Sequence, residues 1–348
     1  MTMATNIGQY TLRLDQSPSI IGSAAIGGKK EAEGPIGNMF DIVNYDAMFG
    51  QKSWELAESE MQHQAAQKVL DKCNLAPGDI QYLFAGDLLN QLVASHYGLR
   101  ELGIPFFGLY GACSTMAESL ILSSMLVEGG LAKKVMAITS SHFCSAERQF
   151  RFPLEYGGQR TPTSQWTATA AGACIVAECS QPPYVRAVTV GCIEDKDVKD
   201  LNNMGAAMAP AACTTIKRYF QDTLTGPDNY DLILTGDLGQ VGSDLLIQLL
   251  QREGYDIKKK HADCGLILYD QRTQDVHAGG SGCGCAAAVL CSYIIPAIKE
   301  GKIRDMLFIA TGALMSPVSV QQGQNIPGIA HLLHLSSTPN PKPQGGNQ

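Results

Sequence analysis

Hydrophobic and polar positions along this chain follow two patterns. From Glu55 to Cys73, the residues Leu56, Met61, Ala65, Ala66, Val69, Leu70 and Cys73 recur at helical spacing with Glu, Gln and Lys between them. That predicts an amphipathic helix, ended by Pro77-Gly78. Short continuous apolar runs predict buried strands at Ile20 to Ala25, Tyr82 to Ala85, Ile104 to Tyr110, Lys134 to Thr139 and residues 170 to 177. Met116 to Val127 is apolar nearly all round, which predicts a core helix stopped by Glu128-Gly129-Gly130. Residues 144 to 165 are polar, with several Arg and Pro, and predict a long functional loop. Residues 339 to 348 predict a loose tail.

The second half repeats the first. Asp79 to Leu88 resembles Asn229 to Leu238, and Gly-Asp-Leu recurs 150 residues later, at Gly236 after Gly86. Glu128-Gly129 followed by Val135 to Thr139 resembles Glu300-Gly301 followed by Leu307 to Thr311, an offset of 172 that also carries Cys113 onto Cys285. Three matches in one order predict a duplication, and alternating strands and helices predict α/β layers. The expected boundaries are 1–180 for the first half, with the 144–165 loop, then 181–338 for the second half and 339–348 for the tail.

Composition narrows the function. The chain has 348 residues, 45% of them hydrophobic and 17% charged, enough for a sizeable core and too apolar for disorder. A formal net charge of −7 argues against nucleic acid as a partner. No apolar run reaches the roughly 18 residues of a membrane span, and Met1 to Tyr10 does not read as a signal peptide. Eleven scattered cysteines suit a reducing compartment.

Cys113 is the sharpest chemical feature. Gly111-Ala112-Cys113-Ser114 lies where a buried strand turns into a buried helix. Unpaired N–H groups and the dipole at a helix start favour thiolate, so a lowered pKa is expected, for a nucleophile or an anion seat. A small residue packed at a crowded junction fits the same position. His277, before Gly279-Gly280-Ser281-Gly282, either faces a shared cleft or is hydrogen-bonded in place. Cys283 and Cys285 are too close for zinc spacing, and no phosphate-loop ending follows. Arg148, Arg151 and Arg160, with Tyr156, Gln159 and Trp166, offer carboxylate forks and a stacking surface, or a solvated loop. Asp87 and Asp237 sit at equivalent strand ends and read as helix caps.

These residues resemble the thiolase and ketoacyl-synthase superfamily. Gly111 to Ser114 is similar to its nucleophile turn, Trp166 to Glu178 to its glycine-rich strand, and His277 to Gly282 to its Gly-His-Pro segment. The resemblance implies a duplicated thiolase-like α/β fold in five layers, α-β-α-β-α, in a superfamily whose members are commonly homodimers. Longer strings are similar to the stage V sporulation protein AD family. They include Leu83 to Gln91, Gly108 to Thr115, Ser140 to Phe143, Ala146 to Tyr156 and Gly279 to Gly284. That resemblance implies binding of dipicolinic acid (pyridine-2,6-dicarboxylate), free or as its calcium chelate, for uptake into the developing spore. It also implies membrane-embedded partners of the same operon and a peripheral place on the spore inner membrane. Condensing chemistry needs a second proton carrier besides Cys113. The two superfamily positions for it hold Ala310 and Gly236 here, so a non-enzymatic protein without cofactor is expected. His142 remains an alternative base. A Claisen-type acyltransferase and a scaffold for a membrane channel are the competing readings. The expected ligand residues are Cys113, His277, His142, Arg148, Arg160 and Trp166.

Overall fold

A computed structural model describes residues 4–150 and 159–341. Ten of its strands form two matching sets of five. The first runs Phe106–Gly108, Tyr82–Gly86, Lys134–Ser141, Ala170–Ala177, Ser19–Gly27. The second runs His261–Asp263, Leu232–Thr235, Asp305–Ala313, Gly328–Ser336, Tyr184–Thr189. In both sets the first three strands are parallel and the last two neighbour pairs antiparallel. The sets meet through one register pair, Tyr184 with Ser19. The duplication seen in the sequence is therefore a duplicated sheet topology.

Period-two alternation sorts these strands into layers. Met136 and Ile138 face outward, onto Met61, Ala65 and Val69 of the helix Trp54–Cys73. Val135 and Ala137 face inward. In the second sheet, Leu307 and Ile309 face the outer helices Met204–Thr223 and Gly239–Arg252, whereas Met306 and Phe308 face inward. Both inward faces share one core with the helices Thr115–Glu128 and Cys283–Val289. A helix between two sheets has no polar side to show, which explains why 116–127 is apolar all round. The order is α-β-α-β-α, as expected.

Local signals set the ends of these elements. Ser53 caps the first outer helix by accepting from Leu56 N at 3.3 Å, and Asn74 ends it with φ of 52°. Three expectations shift. The run at 104–110 yields only the short strand Phe106–Gly108. The expected 144–165 loop begins as the helix Phe143–Phe150, whereas residues 151–158, with Arg151 and Tyr156, lie outside the described residues. The tail does not start loose at 339. Asn340 is buried, and its Nδ2 donates to the carbonyls of Leu14 and Arg186 at 2.8 Å each. Among the described residues, no helix is long and apolar enough to cross a membrane.

Candidate functional site

The strand Phe106–Gly108 feeds the turn Ala112–Ser114, which opens the central helix Thr115–Glu128. Ala112 adopts φ of 50°, an unfavourable left-handed conformation for a residue with a Cβ. The turn places Cys113 on the wall of a cavity of about 950 Å³. The opposite walls come from the loop Leu88–Leu92, the helix Phe143–Phe150 and residues 313–317 of the second half. Two consecutive wall residues, Gln91 and Leu92, also have positive φ, at 57° and 55°.

Cys113 is not the thiolate that its helix position suggested. Its pKa is raised well above that of an ordinary thiol, first by burial, then by the Asp237 carboxyl and the Cys283 thiol. Only the Gly282 N–H opposes this shift. Desolvation and a neighbouring acid outweigh the helix dipole, which is worth about 1 kcal/mol at an exposed terminus.

Asp237 is the group the sequence reading misplaced. It does not cap the helix Gly239–Arg252, because Asp263 accepts from Leu238 N at 2.8 Å and Gly239 N at 3.0 Å. Asp237 instead accepts from Gly282 N at 2.8 Å, Ser281 Oγ at 3.2 Å and Thr311 Oγ1 at 3.0 Å. Gly282 holds φ of 101°, and a Cβ there would lie 2.6 Å from Ser141 Oγ, so this close approach requires glycine. Gln165 braces the same junction, donating to the carbonyls of Asp237 and Gly280 at 2.7 Å each. Asp87, its counterpart in the first half, braces the helix Val93–Leu99 as expected, accepting from Ser95 N at 2.9 Å and Ser95 Oγ at 2.7 Å.

The other expected site residues are dispersed. His142 is buried away from the cavity wall, its Nε2 against the Ala47 carbonyl at 2.8 Å and its Nδ1 accepting from Cys144 N at 3.2 Å. Both ring nitrogens are engaged, and burial lowers its pKa. His277 also lies off the cavity wall. Its φ of 50° turns it out to pair with Asp275 at 3.0 Å. Arg148 pairs with Glu55 beside a smaller neighbouring pocket. Trp166 offers no ring face: Phe143 stacks on it at 3.7 Å and Lys30 sits over it, also at 3.7 Å. Tyr110, by contrast, does line the cavity.

Among the described residues, Arg160 is the one expected cation that reaches the cavity, and the only cation on its wall. Asp275 holds Nη2 at 2.9 Å from behind, and the guanidinium lies 4.7 Å over Trp166. Nη1 is buried without a partner.

The two positions where the sequence led us to look for a second proton carrier hold no titratable side chain. Ala310 is fully buried in the central core. A Cβ on Gly236 would lie 3.0 Å from Ala310 Cα and 3.3 Å from Thr311 N, so any side chain there would press on its neighbours. Among the described residues, no group of three His, Cys, Asp or Glu is placed to hold a metal ion.

Comparisons with known proteins agree with this architecture. A family model described as Stage V sporulation protein AD (SpoVAD) matches residues 8–336. The stage V sporulation protein AD of Bacillus subtilis (strain 168) is 47% identical over 318 residues, covering 91% of this chain and 94% of that one. Among solved structures, the 3-oxoacyl-[acyl-carrier-protein] synthase III of Aquifex aeolicus VF5 aligns over 92% of this chain and 100% of its own, with a TM-score of 0.55 and 13% identity. OleA of Xanthomonas campestris, solved with cerulenin, aligns over 93% and 99%, with a TM-score of 0.60 and 14% identity. At such identities these two share the fold alone. Through its sequence the chain belongs to the stage V sporulation protein AD family, built on a thiolase-like fold.

Proposed function

We propose that this protein binds pyridine-2,6-dicarboxylate, free or as its calcium chelate, in the cavity beside Cys113, and that it serves uptake of this ligand into the developing spore without catalysing a reaction. The observation that carries the reading is Arg160. A guanidinium fork pairs naturally with a carboxylate, and among the described residues this is the cation on the cavity wall. Tyr110 offers an aromatic surface on the same wall.

Absence of catalysis is supported by the chemistry around the thiol. A thiol of raised pKa needs a base; the Asp237 carboxyl beside it is engaged by Gly282 N, Ser281 Oγ and Thr311 Oγ1, and Gly236 and Ala310 offer no titratable side chain. In this reading contact with the spore membrane is made through membrane-embedded partners; no described helix is long and apolar enough to cross a bilayer. Calorimetric titration with the dicarboxylate, with and without calcium, tests the reading, with pyridine-2-carboxylate as control. Saturable binding that needs both carboxylates is expected. Heat equal for both ligands, or a Cys113 acyl adduct after incubation with acyl-CoA, would overturn it.

A further inference from the structure

An acidic network behind the cavity has no part in the binding role described so far. Asp87 lies on the cavity wall and is almost wholly buried. Glu58, on the outer helix Trp54–Cys73, is deeper still. Its two oxygens accept from Ser140 Oγ at 3.0 Å and Ser145 Oγ at 2.7 Å. Ser140 Oγ also accepts from Gln62 Nε2 at 3.1 Å. Gln62 Nε2 reaches Ser95 Oγ at 3.2 Å, and Ser95 Oγ donates to Asp87 Oδ2 at 2.7 Å. The two carboxyls therefore end one continuous run of uncharged hydrogen-bonding groups. Gln62 is fully buried, and its Oε1 has no donor.

Glu58 faces Asp87 and Glu55, and Glu55 is itself paired with Arg148. Asp87 faces His96, and the Cys283 thiol faces both acids. Burial is the first cause raising both carboxyls, and Glu58 reaches about 8, with Asp87 adding to its shift. Two ionised carboxylates without a cation are already costly in an interior of low dielectric. A dianion arriving on the same wall adds two more negative charges.

We propose that Glu58 and Asp87 are a proton-holding pair that couples anion binding in the cavity to proton uptake, with Asp87 presenting the proton to a ligand carboxylate and Glu58 as the positioning residue behind it. The inference rests on the reading of the cavity as a dicarboxylate site. The proton comes from bulk water, adds to a carboxylate oxygen of the pair and leaves with the ligand, and no other bond changes. The arrangement also favours a ligand with carboxylates over one of equal shape that only donates hydrogen bonds.

Titrations with pyridine-2,6-dicarboxylate in two buffers of different ionisation enthalpy, from pH 6 to 9, read the protons taken up. Wild type should take up roughly half to one proton per ligand at pH 8 to 9 and fewer at pH 6, with affinity falling by up to about tenfold per pH unit above 8. Glu58→Gln should still bind, with uptake cut by half or more. Asp87→Asn should flatten the pH dependence from the cavity side, so the proposal does not depend on one variant folding. Zero uptake in wild type, or uptake unchanged in both variants, would overturn the coupling while leaving the site reading intact. Binding that requires calcium and takes up no proton would do the same. No binding under any condition would remove the site reading, and the coupling with it.

Discussion

Replacing Glu58 by Gln should make stability less dependent on pH, with no ligand present. The side chain is buried, lies in the Ser140–Ser145 hydrogen-bond network and has a pKa of about 8, against an ordinary value of 4.5. A folded-state pKa above the unfolded one gives stability that is complete below the unfolded pKa and drains away as pH rises to the folded one. The window here is pH 4.5 to 8. Each pH unit well inside it costs about 1.4 kcal/mol, so wild type should lose about 3 to 4 kcal/mol between pH 5 and 8 through this residue. Gln keeps the shape and a hydrogen-bonding oxygen but cannot ionise. Urea unfolding curves at pH 5, 6.5 and 8 measure the difference directly. The variant's curve should be flatter than wild type's by that amount, leaving it the relatively more stable protein at pH 8. Equal pH slopes in the two proteins would refute the claim that Glu58 is held protonated by its surroundings.

Other substitutions probe the cavity and its junction. Asp237→Asn removes the negative charge beside Cys113, so the thiol pKa should fall and its alkylation at pH 8 should accelerate, followed at Cys113 by mass spectrometry. Gly236→Ala should cost about 1 to 3 kcal/mol by chemical denaturation, since its Cβ would press on Ala310. His277→Ala should change dicarboxylate affinity by less than about threefold in calorimetry, since the side chain lies off the cavity wall and contacts Asp275 instead.

The fold was legible because its cause is distributed along the whole chain. Alternating faces such as Met136 against Ala137, and a helix apolar all round at 116–127, allow few layer arrangements other than helices between and outside two sheets. The repeated Gly-Asp-Leu at 86 and 236 marked the duplication for the same reason. The site was less legible, because it depends on which side chains the turns aim inward. Cys113 and Arg160 reach the cavity, but His277 is turned out by a single positive φ and His142 is tied to Ala47. The sign of the Cys113 shift was missed because the sequence shows the helix start and hides the Asp237 carboxyl, which arrives from 124 positions away. Asp237 itself carried a signal in the repeat, but its cap role had passed to Asp263. Glu58 looked like any polar position on an amphipathic helix, and only the packing of 140–145 against it reveals its burial.

Titrating wild type and Arg160→Gln side by side with pyridine-2,6-dicarboxylate tests the central claim most directly. Charge-assisted hydrogen bonds of this kind are worth about 1.5 to 3 kcal/mol, so the variant should bind about ten to a hundred times more weakly with its fold unchanged. Equal affinity in the two proteins would contradict the assignment of the ligand to this cavity, and no measurable binding by wild type would contradict the binding role itself.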